Sequence, residues 1–255
     1  MNIVVVPDTQ CKPGVDTNYL KWISDYLVDK KPDVIVHLGD HWDMPSLSSY
    51  DVGKKSFEGR RYVDDIKAGN DGMDVLTSSL TEYNERQRKN GKKLYNPQKI
   101  FLFGNHEQRI ERAVNNDAKL DGVIGYQDLL LKGWETYPFL HVVMVSNIAF
   151  SHYFVTGVAG RPASSAAVQL SKKHMSCIAG HQQGLQVHTA YRADGVRLTS
   201  VIAGSAYTHD EDYMGPQGNK GHWRGILSLE EVTDQGEFDL IPISINYLKR
   251  KYSNA

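Results

Sequence analysis

The sequence predicts an α/β protein in which short buried strands alternate with amphipathic helices. Three observations carry that expectation. The chain opens on an apolar run from Ile3 to Val6, the length of one buried strand. Tyr19, Trp22, Ile23, Tyr26 and Leu27 then recur at the spacing of one helix face, which predicts a helix over residues 16–30. Pro32 ends that stretch, and DVIVHLGD supplies a second apolar run entering a loop, completing a strand–helix–strand unit.

Later elements follow the same alternation. Residues 50–97 turn polar and charged, with a narrow helical stripe of Val63, Ile66, Met73, Leu76, Leu80 and Tyr83 broken around Gly69 and Gly72. This reads as a helical insertion or hairpin beside the main sheet, and its basic tip over residues 86–93 as a solvated helix end. QKIFLFGNHE is a third strand running into a loop, and residues 108–115 look helical. Residues 141–151 are strand-like and end at His152, residues 161–174 read as a helix, and SCIAGH is another strand. Alternating strands fill most of the remainder, in VRLTSVIAG, RGILSLEEV and GEFDLIPISINYL. With no repeat and no evident linker, residues 1–255 are expected to form a single domain.

Composition narrows the partners without naming one. A formal net charge of -1 neither favours nor excludes a polyanion. Cys11 and Cys177 are isolated, so no disulfide framework is implied and a reducing compartment suits them. The apolar run at the N-terminus is too short for a signal peptide or membrane span, and no later stretch is long enough, so a cytoplasmic location without membrane contact is expected.

Five strand ends carry metal-ligand residue types: VVVPDTQ, VIVHLGDHWD, IFLFGNHE, NIAFSHYF and CIAGHQQ. In α/β proteins ligands gather outside the carboxyl ends of strands, so Asp8, Gln10, Asp40, Asp43, Asn105, His106, His152, His181 and Gln183 are expected to meet in one cleft. Singly, each has a plainer explanation. An aspartate after a strand commonly caps a helix or turn, and a buried histidine is commonly a hydrogen-bonded structural residue. The ordered set is much harder to produce by chance.

The motifs Asp8-Thr-Gln10, Gly39-Asp40-His-Trp-Asp43, Gly104-Asn105-His106-Glu107, His152 and Gly180-His181-Gln-Gln183 resemble those of the calcineurin-like metallophosphoesterase superfamily. HLGDHWDMPSLSSYD, GNHEQRI and GHQQG are together similar to a phage-encoded group within it. The resemblance implies a two-sheet β-sandwich flanked by helices, an αββα arrangement, and a dinuclear site that activates water for in-line attack on phosphorus. It implies that Asp8, Gln10, Asp40 and Gln183 surround a first metal. Asp40, Asn105, His152 and His181 would surround a second, with Asp40 bridging. His106 would serve the phosphoryl or leaving-group oxygen, oriented by Asp43.

Two glutamines depart from the imidazole-rich pattern. Gln10 stands where many relatives carry histidine, and Gln183 replaces the second histidine of G-H-x-H; His188 is the alternative donor nearby. An oxygen-rich first position favours Mn²⁺, with Mg²⁺, Fe²⁺ or Zn²⁺ as alternatives, and is expected to hold its ion less tightly than the second. His41 and Trp42 are expected at the cleft border. Arg161, with Ser164 and Ser165, is a candidate phosphate contact, helix capping being the alternative for the serines. Tyr207, His209, His222, Trp223 and Arg224 are candidates for a further wall. The leading expectation is a phosphodiesterase or nuclease acting on nucleic acid or nucleotide. The alternatives are a phosphomonoesterase, a protein phosphatase or a non-catalytic scaffold with a weakened site. If the chain is phage-encoded, its compartment is the host cytoplasm.

Overall fold

The computed structural model describes residues 1–211 and 214–253. In chain order its elements are β1 (Ile3–Val6), α1 (Asn18–Lys30), β2 (Val34–His37), α2 (Tyr62–Lys89), β3 (Gln98–Leu102), α3 (Gln108–Asn116), β4 (Glu135–Tyr137), β5 (Val143–Val145), β6 (Ile148–Ser151), α4 (Ala166–Lys173), β7 (Cys177–Ala179), β8 (Leu185–Tyr191), β9 (Arg197–Ala203), α5 (Gly215–Lys220), β10 (Gly225–Glu230), β11 (Asp239–Ser244) and α6 (Ile245–Tyr252). They make two sheets, ordered β11-β10-β1-β2-β3-β4 and β5-β6-β7-β9-β8. β1-β2-β3-β4 and β6-β7-β9 are parallel; antiparallel strands flank the first run on one side, through β10 and β11, and the second on both, through β5 and β8.

Strand periodicity explains the layering. Alternate side chains leave opposite faces of a strand. Ile3 and Val5 therefore enter the core between the sheets, while Val4 and Val6 enter the core beneath the helices. β2 and β3 repeat the division: Val34, Val36, Ile100 and Leu102 face the other sheet, and Ile35 and Phe101 face the helices. Both faces are covered, so the strands read as unbroken apolar runs. Tyr19, Leu20 and Ile23 of α1, Met73 and Leu76 of α2, and Leu248 of α6 complete the helix-side core. α4 covers the second sheet, where buried Gln169 donates to Ser200 Oγ at 3.1 Å and the Val201 carbonyl at 3.3 Å. The result is the expected αββα arrangement, and it gathers the carboxyl ends of β1, β2, β3, β6 and β7 along one rim.

Four local expectations are corrected. Residues 62–89 form one continuous helix, without a break at Gly69 and Gly72. Those glycines cost roughly 1 kcal/mol each in helix propensity, but a Cβ at Gly69 would collide with the Trp42 ring, and one at Gly72 with Cys11 Sγ. They let α2 lie close on the loop after β2. Residues 141–151 are a hairpin rather than one strand: Ser146 and Asn147 both have left-handed φ, 45° and 58°, forming the tight turn between β5 and β6. α4 begins at Ala166, later than expected, with Ser165 as its cap: the Oγ accepts from Val168 N at 3.2 Å. The last strand-like run stops at Ser244, whose hydroxyl accepts from Tyr247 N at 3.2 Å and starts α6.

Candidate metal centre and catalytic cleft

The loops after β1 and β2 are joined through their backbones. Gln10 N donates to the Asp40 carbonyl at 2.8 Å, Cys11 N to the His41 carbonyl at 2.6 Å and Asp43 N to the Cys11 carbonyl at 3.0 Å. Glu107, fully buried after β3, holds the same loop from the other side. One carboxylate oxygen accepts from Asp40 N at 2.9 Å and Gly104 N at 2.8 Å; the other accepts from His41 N at 2.6 Å and Trp42 N at 2.9 Å. Gln10, Asp40 and His181 all have left-handed backbones, with φ of 40°, 49° and 66°. Such non-glycine conformations persist where surrounding bonds over-determine them.

Around Asp40 the donors converge closely. Ligand-type atoms of Asp40, His152 and His181 lie within 4.8 Å of one another, the one such group among the described residues. His152 Nδ1 is 2.7 Å from the Leu38 carbonyl, so that nitrogen donates and Nε2 is turned towards the other donors. Nε2 faces Asp40 Oδ2 at 3.4 Å and Asn105 Oδ1 at 2.9 Å, and His181 Nδ1 is 2.7 Å from the same Asn105 oxygen.

The second group is built on β1. Asp8 Oδ1 accepts from His181 N at 3.1 Å and Oδ2 from Gln183 Nε2 at 3.0 Å. Gln183 Nε2 is also 3.3 Å from the His181 carbonyl, which fixes the amide orientation. Gln183 Oε1 in this group, and Gln10 Oε1 on the loop after β1, are buried without a hydrogen-bond partner among the described residues. Leaving such groups unmatched costs about 1–3 kcal/mol each, and a cation beside them would match them. The donor set therefore fits a bound divalent ion, as the convergence around Asp40 does.

His106 and Asp43 form a pair next to these groups. Nδ1 of His106 contacts Asp43 Oδ1 at 2.7 Å, its Nε2 lies 3.7 Å from Asp40 Oδ2, and its backbone N–H donates to Asp40 Oδ1 at 2.9 Å. The imidazole opens on a cleft of about 940 Å³, lined among others by Lys12, Asp43, Asn105, Arg109 and His181.

Residues 1–189 match the family model described as calcineurin-like phosphoesterase. The chain belongs to that family. A 53-residue stretch is 45% identical to the Gene 54 protein of Mycobacterium phage L5, spanning 21% of this chain and 20% of that protein. Similar solved structures include YfcE, titled a phosphoesterase from E. coli, at 12% identity and TM-score 0.39. They also include a double mutant of Vps29 from Entamoeba histolytica, at 10% identity and TM-score 0.37. Each covers 96% of this chain, which covers 100% of each in turn. The family hydrolyses phosphoesters with divalent metal, and no helix of the described residues is long and apolar enough to cross a membrane.

The site's own charges set the protonation of its groups. Burial and the Asp40 charge push the Asp8 carboxyl up to about 7. Burial acts the same way on Asp40, but His106 and His152 overcome it and hold that carboxyl well below the usual range. His152 is lowered by burial and raised more strongly by Asp40, to about 9. His181, lowered by burial and by His152 to about 4, is neutral near pH 7. Burial opposes the charge on His106, yet Asp40 and Asp43 raise it.

The remaining expected residues divide. His41 and Trp42 are fully buried and do not border the cleft: His41 bonds Thr9 Oγ1 at 2.7 Å and the Gly69 carbonyl at 2.9 Å, and Trp42 Nε1 donates to Asn70 Oδ1 at 3.1 Å. α2 closes over both. Arg161 is exposed before α4 and does not line the cleft, while His188 is exposed on β8 opposite Ser200. Tyr207, His209, His222, Trp223 and Arg224 do not line the cleft either; Glu211, beside them, does. Lys12 Nζ sits 2.8 Å from Glu211 and 3.4 Å from Asp43 Oδ2; Glu211 meets His209 Nε2 at 2.8 Å, and His209 stacks on Tyr207. Tyr207 OH is 3.3 Å from His222 Nδ1, Arg224 donates to the Tyr207 and His209 carbonyls, and Trp223 N donates to the Gln183 carbonyl. Sequence reasoning missed Lys12 and Glu211, partners 199 positions apart, and assigned nothing to Glu107 or Arg109, although both stand in GNHEQR.

Proposed function

We propose that the chain, acting as one domain, hydrolyses phosphodiester bonds of nucleic acid or nucleotide, with Mn²⁺ the preferred metal. Asp40, Asn105, His152 and His181 would hold one ion, and Asp8, Gln10, Gln183 and the shared Asp40 the other. Bound there, the pair would supply Lewis acidity and lower the pKa of water. The chain's own residues do the rest: Asp43 orients the His106 imidazole, and His106 serves the leaving oxygen from the cleft side. The observation that carries this reading is the convergence of His106–Asp43 on the Asp40 donor set, 3.7 Å from His106 Nε2 to Asp40 Oδ2.

A cleft of about 940 Å³ suits a nucleotide-sized group, and similarity to part of a phage protein favours work on nucleic acid or nucleotide. The oxygen-rich Asp8 group favours Mn²⁺, and the chain is expected to work in the cytoplasm. The test is a panel with Mn²⁺: single- and double-stranded DNA, RNA, cyclic nucleotides, bis-p-nitrophenyl phosphate and phosphomonoesters, with Asp40→Ala as control. Diester cleavage lost in the control is the expected result. Turnover of monoesters alone would move the assignment to phosphatase. Absence of any Mn²⁺-dependent turnover would leave a binding scaffold.

A further inference from the structure

We propose that Arg109 binds a phosphoryl oxygen of the substrate beside His106, a role that rests on the phosphoesterase reading above. Arg109 lines the cleft, yet only 11% of its side chain is exposed. Its Nη1 donates to two neutral groups, the carbonyls of Asp43 at 2.7 Å and Met44 at 3.2 Å. Among the described residues one carboxylate oxygen comes within ion-pair range, Asp43 Oδ1 at 4.0 Å, and it is already 2.7 Å from His106 Nδ1. The other oxygen of Asp43 faces Lys12 at 3.4 Å.

Three of the other four lysines and arginines lining the cleft are better matched, and the fourth, Arg61, is exposed. Lys12 has Glu211 at 2.8 Å, while Lys54 and Arg60 share Asp51 at 2.8 and 2.9 Å. Arg109 combines burial with a shortage of countercharge, and a desolvated cation in that condition is costly unless an anion joins it. The direction of the group identifies that anion's position. Nη2 lies 3.2 Å from His106 Nε2, so a guanidinium donor and the imidazole tip share one spot on the cleft wall. A phosphoryl oxygen arriving there would accept from Arg109, and Nη2 would leave the imidazole for it. The planar fork of arginine suits phosphate oxygens, whereas a lysine ammonium offers only a point charge. The two carbonyl bonds keep the guanidinium in place before substrate arrives.

A purely structural arginine would tie the Asp43–Met44 turn to α3 and do no more, and the experiment separates the two. Inorganic phosphate is titrated into the Mn²⁺-loaded protein by calorimetry, a readout that does not need turnover and so survives failure of the enzymatic reading. In parallel, KM and kcat are measured on bis-p-nitrophenyl phosphate. Arg109→Gln is expected to weaken phosphate binding roughly tenfold and raise KM similarly, with Mn²⁺ affinity unchanged. Arg109→Lys, which keeps the charge without the fork, is expected to fall between. Unchanged phosphate affinity and KM in Arg109→Gln overturns the proposal, whatever its thermal stability. If that variant does not fold, unchanged phosphate affinity in Arg109→Lys overturns it instead.

Discussion

The donors around Asp40 and those around Asp8 are carried by loops that touch, yet they are completed differently. Around Asp40, the Asn105 oxygen sits between two imidazoles, and the Leu38 carbonyl fixes which nitrogen of His152 faces inward. Around Asp8, the Gln183 amide turns its N–H to the carboxylate and leaves its oxygen unmatched, as Gln10 leaves its own. An imidazole can offer a lone pair where the glutamine offers a hydrogen. A cation at Asp40 meets imidazole nitrogens that become donors on losing a proton, whereas at Asp8 the Gln183 amide must first turn over to present its oxygen. The expected consequence is one firm metal position and one exchangeable one.

The sharpest way to break that contrast is to remove the residue proposed to join the two groups. Asp40→Ala takes away the carboxylate proposed to serve both ions and the acceptor for His106 N, so turnover of bis-p-nitrophenyl phosphate should fall on the order of 10³-fold or more. A loss below tenfold would mean that Asp40 does not join the two groups.

His106→Asn leaves both groups intact and removes only the imidazole between them and Asp43. The expected loss in kcat is about 10²-fold, with Mn²⁺ affinity unchanged in calorimetry. If metal affinity falls in step with kcat, His106 belongs to the metal centre and not to the leaving-group side.

A smaller effect tests the contrast most directly. Calorimetry with Mn²⁺ should resolve two unequal sites in the natural chain, and Gln183→His should tighten the weaker by roughly tenfold while sparing the stronger. Two equal sites in the natural chain, or a single tight Zn²⁺ pair, would remove the distinction.

Both groups are legible in the sequence because their chemistry demands particular residue types at strand ends. Asp8, Asp40, Asn105, His152 and His181 each follow an apolar run, and those runs are β1, β2, β3, β6 and β7. What the sequence hides depends on packing between distant segments. Trp42 reads equally as an aromatic for stacking a base or as loop packing, and what decides it, Gly69 letting α2 press against its ring, is a contact no local pattern encodes. Lys12 and Glu211 meet only because the chain after β9 returns to β1, where Ala206 N donates to the Asp8 carbonyl at 2.7 Å. Glu107 stands in plain view within GNHE. Its task, accepting four backbone N–H groups, lies in loop geometry that residue identity alone does not specify. The hairpin at Ser146–Asn147 escapes a reading by pattern because that turn lacks the usual glycine.

The smallest expected effect concerns the exchangeable half without its metal. Burial and the Asp40 charge put the Asp8 carboxyl at about 7 in the folded chain, against 3.8 for the free side chain. Between those values the folded state holds more proton than the unfolded one, so this group's contribution to stability falls as pH rises from about 4 to about 7. Other groups titrate in the same range: His41 and His181, both lowered to about 4, contribute with the opposite sign. The measurement must therefore be a difference. With chelator present, the urea midpoint of Asp8→Asn should gain on that of the natural chain as pH rises through the window. With saturating Mn²⁺ the gain should vanish or reverse, because a cation at Asp8 favours the carboxylate. A difference that stays flat with pH in chelator would mean that Asp8 ionises normally, and that the amide-lined half is as ready for a cation as the half around Asp40.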